Sequence, residues 1–216
     1  MKAFRWLVVV AALSLAQGCA EHVPPLNFSV PNVGPSATRF DAEVRSLTVT
    51  VGRPDEQVGP VHVMMAESAG TAVGSSQALT ANWREALQEA LDRHIIFRDD
   101  GRQKVSISVK ILRLEIPFMG ASFTTNAVAR YEIIDRANGD IIFRQDVASA
   151  GTVPADFAFL GVIRARESIN RAVQNNIASF LQQLQTADMA RPMFPANASP
   201  VPVSRPEQRR TGTPTS

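Results

Sequence analysis

The chain of 216 residues contains one cysteine, Cys19, so no intramolecular disulfide can form and the core must hold by packing. Its three histidines, His22, His62 and His94, show no metal-ligand spacing, which leaves them structural or solvated roles and implies no metal site. Neither Ser122 nor Ser149 stands in the Gly-x-Ser-x-Gly frame of a nucleophile elbow. There is no Gly-x-x-x-x-Gly-Lys stretch to cradle phosphates, and none of the short apolar repeats of a hexapeptide acyltransferase. Asp99-Asp100 runs into Gly101 and reads as a turn, not as a pair of catalytic carboxylates. No cofactor is implied. Net charge is also small, at +2, and both Lys2 and Arg5 lie at the very start, so the remainder is balanced and lacks the basic footprint of a nucleic-acid binder. The apolar run from Trp6 to Leu15 falls short of the roughly 20 residues a membrane-spanning helix needs.

What is present begins at that run. Lys2 and Arg5 form a charged start, an apolar stretch follows, and Leu15-Ala16-Gln17-Gly18-Cys19 closes it with small residues before a thiol. This resembles the bacterial lipobox, with Ala16 where the pattern prefers Leu. The resemblance implies a signal peptide over 1–18 and acylation of Cys19, which accounts for a lone cysteine in an exported chain. Buried acyl chains, at about 0.8 kcal/mol per CH₂, would hold the protein on a membrane. Ala20 rather than Asp after Cys19 favours, by resemblance to the enterobacterial sorting rule, the periplasmic face of the outer membrane.

Pro24, Pro25, Pro31 and Pro35 predict a tether over 19–42. An α+β domain is expected over 43–186, in the order β-α-β-β-β-α, as an antiparallel sheet of about four strands with two helices on one face. Val44 to Val51 alternates with one irregular step; a helix beginning near Thr80 buries Trp83, Ala86, Leu87, Ala90 and Leu91; Ile95-Ile96-Phe97 reads as a short strand. In the next strand the apolar parity switches after Ile111, which predicts a bulge there or cover on both faces. Asn138-Gly139 marks a hairpin, and a last helix over about Val162 to Gln185 carries Ile169, Val173, Ile177, Phe180, Leu181 and Leu184 on one side. The segment from Gly52 to Ser76 reads as a long loop and a place to look for a partner contact; the Pro-, Ser- and Arg-rich 187–216 reads as a disordered tail.

The candidate binding residues are Arg164, Arg166 and Arg171 near the start of the last helix, which could meet anionic glycolipid or a partner's carboxylates, with Phe118 and Phe123 in an apolar patch that Met119, Phe157, Phe159 and Leu160 could extend. Taken with Ala129-Arg130-Tyr131-Glu132-Ile133 and the Trp83 helix, the layout looks like the small outer-membrane lipoproteins of Gram-negative bacteria, of the YajG-like or LptE-like sort. That resemblance implies a non-catalytic accessory or assembly role, with a membrane reached through Cys19 and an envelope protein or glycolipid as partner. The rivals are an envelope hydrolase or acyltransferase whose site only the fold assembles, and a carrier of an apolar ligand between sheet and helices; a deep pocket of converging polar groups would mark the first.

Overall fold

The computed structural model describes residues 25–62, 75–117, 119–189, 193, 194 and 196. The elements are β1 (Ala42–Val51), α1 (Ser76–His94), β2 (Gln103–Glu115), β3 (Phe123–Asp135), β4 (Ile141–Val153) and α2 (Gly161–Gln185). The strands lie in sequence order, β1-β2-β3-β4. β2, β3 and β4 are antiparallel, but β1 runs parallel to β2, so the sheet is mixed. The physical reason lies in the connection, because a helical crossover returns the chain to the end of the sheet from which β1 started.

Period-2 patterning sets the faces. Phe123, Thr125, Ala127, Ala129, Tyr131 and Ile133 are all buried, and the residues between them carry the solvent-side ion pairs Arg130–Asp146 and Arg144–Glu132, both at 2.6 Å. The irregular step in β1 is a register shift between Val44 and Ser46. In β2 the shift falls between Ile111 and Arg113, and Leu112 is buried against the chain at Gly52, so that end has both a bulge and cover on its second face. Gly139 takes φ +80° in the β3–β4 turn, which a side chain would resist.

Both helices pack on the same face, where Trp83 of α1 and Asn176 of α2 meet at Tyr131 of β3. Trp83 Nε1 donates to the Tyr131 hydroxyl at 3.4 Å, and that hydroxyl donates to Asn176 Oδ1 at 2.8 Å. The Asn176 amide then donates to the Val147 carbonyl at 2.8 Å, so a buried polar chain is satisfied from end to end. Tyr131 stacks on Phe180 with centroids 4.1 Å apart, and Phe143 meets Phe180 edge-on. Burial pushes the Tyr131 phenol well above its usual range. These rings pack together between the sheet and the helices.

Four expectations change. The helix begins a turn before Thr80, because Ser75 Oγ accepts from the Ala78 amide while Thr80 bonds back to the Gln77 carbonyl inside the helix. Ile95-Ile96-Phe97 is not a strand: Ile95 ends α1 in the left-handed region at φ 51°, and Ile96 bonds to Phe40 instead of the sheet. The tether expected over 19–42 is, from Leu26 onward, a strap across both helices, since Phe28 and Val30 are core residues that bury more apolar surface there than solvation could offset. The tail expected over 187–216 starts as structure: Met189 is buried, Phe194 bridges Ile141 of β4, and Arg144 lies over the Phe194 ring at 4.5 Å. Most of that tail, and 63–74 of the long loop, lie outside the described residues.

Candidate functional site

Among the described residues two places on the surface combine charge with shape, and they lie at opposite ends of the sheet. One end is where Phe123 pairs with Val153; the other holds the β3–β4 turn and the start of β1.

At the first end, Pro154 stops β4, and a short loop leads to Leu160, which caps α2 without a side-chain hydrogen bond. Arg164 reaches back over this loop, donating to the carbonyls of Ala158 and Phe159, the latter at 3.0 Å, while its guanidinium sits 5.5 Å from the Phe123 centroid. Two helical turns on, Arg171 pairs with Glu167 at 2.7 Å, donates to the Thr152 carbonyl at 3.0 Å and lies 5.2 Å from the Phe157 ring. The spacing of Arg164 and Arg171 puts them on one side of the helix, whereas Arg166 lies about 200° round from Arg164 and does not join them.

Of the two aromatic residues expected to form the patch, Phe118 lies outside the described residues, and Phe123 is buried as the platform beneath Arg164. That is a correction: Phe123 is buried and does not lie open to a partner, because the first turn of α2 packs over it, close enough that a Cβ on Gly161 would touch its ring at 3.7 Å. The exposed apolar groups are Phe159 at 91%, Met119 at 75% and Phe157 at 46%. Arg164 and Arg171 thus hold the loop that displays Phe157 and Phe159, while Met119 stands on the β2–β3 connection.

At the second end, an open cleft of about 1020 Å³ runs between β1 and the end of α1, lined among others by Arg39, Asp41, Glu43, Asp92, Arg98 and Asp100. Little in the sequence marks it, since its residues come from separate segments. Hydrogen bonds from Arg102 hold the Asp41 carboxyl below its ordinary range; Lys104 and Arg45 do so for Glu43, and Arg98 for Asp100. That direction is opposite to what a general base working near neutral pH requires. Above the cleft His94 acts as a clip, one ring nitrogen on the Gly34 carbonyl at 2.8 Å and the other on the Gln185 amide at 3.0 Å. Among the described residues no group of three or more His, Cys, Asp or Glu could hold a metal ion, and no helix is long and apolar enough to cross a membrane.

No family model matches the chain, and no curated protein matches its sequence. A solved structure shares its fold. Protein XCC0632 from Xanthomonas campestris, of the DUF330 family model, is 9% identical with a TM-score of 0.50, over 76% of this chain and 94% of that one. Looser likenesses are to a Caulobacter crescentus protein named provisionally as a lipoprotein (16% identity, TM-score 0.36, 48% of this chain and 78% of that one) and to a minor lipoprotein from Acinetobacter baumannii (14%, 0.29, 67% and 90%). At 9% identity the likeness to the Xanthomonas protein is one of fold alone.

Proposed function

We propose that the chain is a lipid-anchored periplasmic accessory protein of the outer membrane, acylated at Cys19 and non-catalytic, which binds an envelope protein or a surface glycolipid through the Arg164–Arg171 end of α2. The observation that carries this reading is the loop held under Arg164, which presents Phe159 to the outside instead of folding it inward, with Met119 of the β2–β3 connection exposed at the same end of the sheet. The lipobox-like stretch before Cys19 supports the anchor. The strap supports it as well, since a chain built into the core from Leu26 onward couples an anchor firmly to the domain.

Replacing the thiol tests the proposal. A Cys19→Ala chain should leave the membrane fraction and appear soluble, and one that still fractionates with the outer membrane overturns the anchor. Cross-linking the native protein, with Arg164→Glu as the comparison, tests the surface: a partner or glycolipid captured equally by both overturns its placement at this end.

A further inference from the structure

We infer that the open edge of β1 pairs with the same edge of a second copy of this chain, antiparallel and centred on Thr48, so that two four-stranded sheets become one continuous sheet.

The two edges of the sheet are treated differently. Along β4, Asn175 donates to the Ala150 carbonyl at 2.8 Å and Arg171 to the Thr152 carbonyl at 3.0 Å, both from α2. At the other end of the same strand Ile141 exchanges backbone hydrogen bonds with Met193 and Phe194. That edge is engaged from within the chain. β1 is met on its outer side only at its start, where the Ala42 carbonyl accepts from the Arg98 amide at 2.9 Å.

Two fixed points show which later groups of β1 turn outward. The Asp41 carbonyl accepts from the Gln103 amide and the Gly52 amide donates to the Ile111 carbonyl, so both residues turn their backbone groups toward β2. An odd and an even position can both do so because the register shift between Val44 and Ser46 inserts one residue, Arg45. Beyond it, alternation turns Ser46, Thr48 and Thr50 toward β2 and leaves the amides and carbonyls of Leu47, Val49 and Val51 pointing outward. Among the described residues no hydrogen bond reaches these outward groups.

The stretch also lacks the devices that protect an edge. From Ser46 to Val51 it holds no charge and no proline, and the bulge lies before it. Unpaired backbone groups on an uncharged strand rich in Val and Thr are a template for another strand.

The side chains select a copy of the same strand. In a pair centred on Thr48, Leu47 stands opposite Val49 of the second copy on the face that carries Ile107 and Val109, and Ser46 stands opposite Thr50 on the other face. Leu47 and Val49 are then the hydrogen-bonded partners, in agreement with the outward direction of their backbone groups. Charge selects this centre over its neighbour. A centre at Val49 would set Arg45 against Arg53, whereas the Thr48 centre leaves Arg45 beside Val51.

The test uses the full chain with Cys19→Ala in a nonionic detergent, so that neither an acyl group nor a thiol at that position joins copies. Sedimentation equilibrium across the micromolar range should find a dimer that dissociates on dilution. Thr48 is exposed, so Thr48→Lys leaves the core alone, yet it sets lysine opposite lysine and should weaken association by about tenfold or more. An equal mixture of Thr48→Lys and Thr48→Glu chains should recover the dimer. A chain that is monomeric at every concentration overturns the inference, and so does a dimer that Thr48→Lys leaves intact or that the mixture fails to restore. In the same Cys19→Ala chain, Thr48→Cys should form a disulfide between copies on mild oxidation, because a non-hydrogen-bonded antiparallel pair holds its Cα atoms about 4.5 Å apart. Thr50→Cys, set away from its own copy across the two-fold axis, should not. Equal linking of the two overturns the pairing.

Discussion

The backbone amide of Asn27 is hydrogen-bonded to the side chain of Asn170 at 2.9 Å, so the segment expected to be a tether is fastened to the last helix. One residue later, Phe28 enters the core and meets the Trp83 ring edge-on at 6.3 Å. The strap joins α1 and α2, which touch each other little directly, and it does so with buried apolar surface.

Phe28→Ala should therefore destabilise the domain by about 3 kcal/mol, the range for deleting a buried phenyl ring. Urea denaturation of the chain followed by Trp83 fluorescence measures it. A loss below about 0.5 kcal/mol, the ordinary level for surface substitutions, would mean that the segment behaves as a tether after all.

Close approach of α2 to β4 depends on Gly151. A Cβ at that position would overlap the backbone of Ala172 and Ser168, neither of which can swing aside as a side-chain tip can. Gly151→Ala should lower stability by about 3 kcal/mol or prevent folding, at the upper end of what overpacking usually does. The neighbouring Ala150→Gly serves as a control and should change stability by no more than about 1 kcal/mol. Thermal unfolding by circular dichroism distinguishes the two.

Acid should weaken the fold through its solvent-side ion pairs. Lys110, 2.6 Å from Glu56, and the Arg53 amide hold the Glu56 carboxyl down at about 2, against an ordinary value of 4.5. A carboxyl with a depressed folded pKa contributes stability above its unfolded value and loses it as pH falls toward the folded one. Asp41, Glu43, Asp100 and Asp146 are shifted in the same direction by their arginine and lysine partners. The melting temperature should accordingly hold steady near neutral pH and fall from about pH 4.5 toward 2. Glu56→Gln should make that fall shallower; an unchanged slope would show that Glu56 contributes nothing to it.

Much of the architecture was legible from short-range pattern. Alternation placed the buried face of β3 residue by residue, the parity switch after Ile111 located the bulge in β2, and the stripe from Ile169 to Leu184 matched the buried side of α2. The arginines were legible as a cluster, but not which of them converge. Arg164 and Arg171 share one side of the helix by its periodicity and each meets a ring of the returning segment or of β3, while Phe123, read from the sequence as an apolar candidate, lies beneath Arg164. No sequence pattern marks the cleft, because Asp41, Asp92 and Asp100 come from separate segments with no common spacing.

The four strands, the two helices and the lipobox-like stretch before Cys19 are written in local periodicity or in adjacent residues, and the chain carries them whatever its fold. No local pattern encodes the parallel pairing of β1 with β2, the course of the proline-rich segment as a strap, or the junction at which Tyr131 joins both helices through Trp83 and Asn176. The physical reason is that these features depend on which distant surfaces share the same buried volume. Proline excludes regular backbone pairing along the strap, but it does not prevent Phe28 and Val30 from filling a groove that two helices leave open.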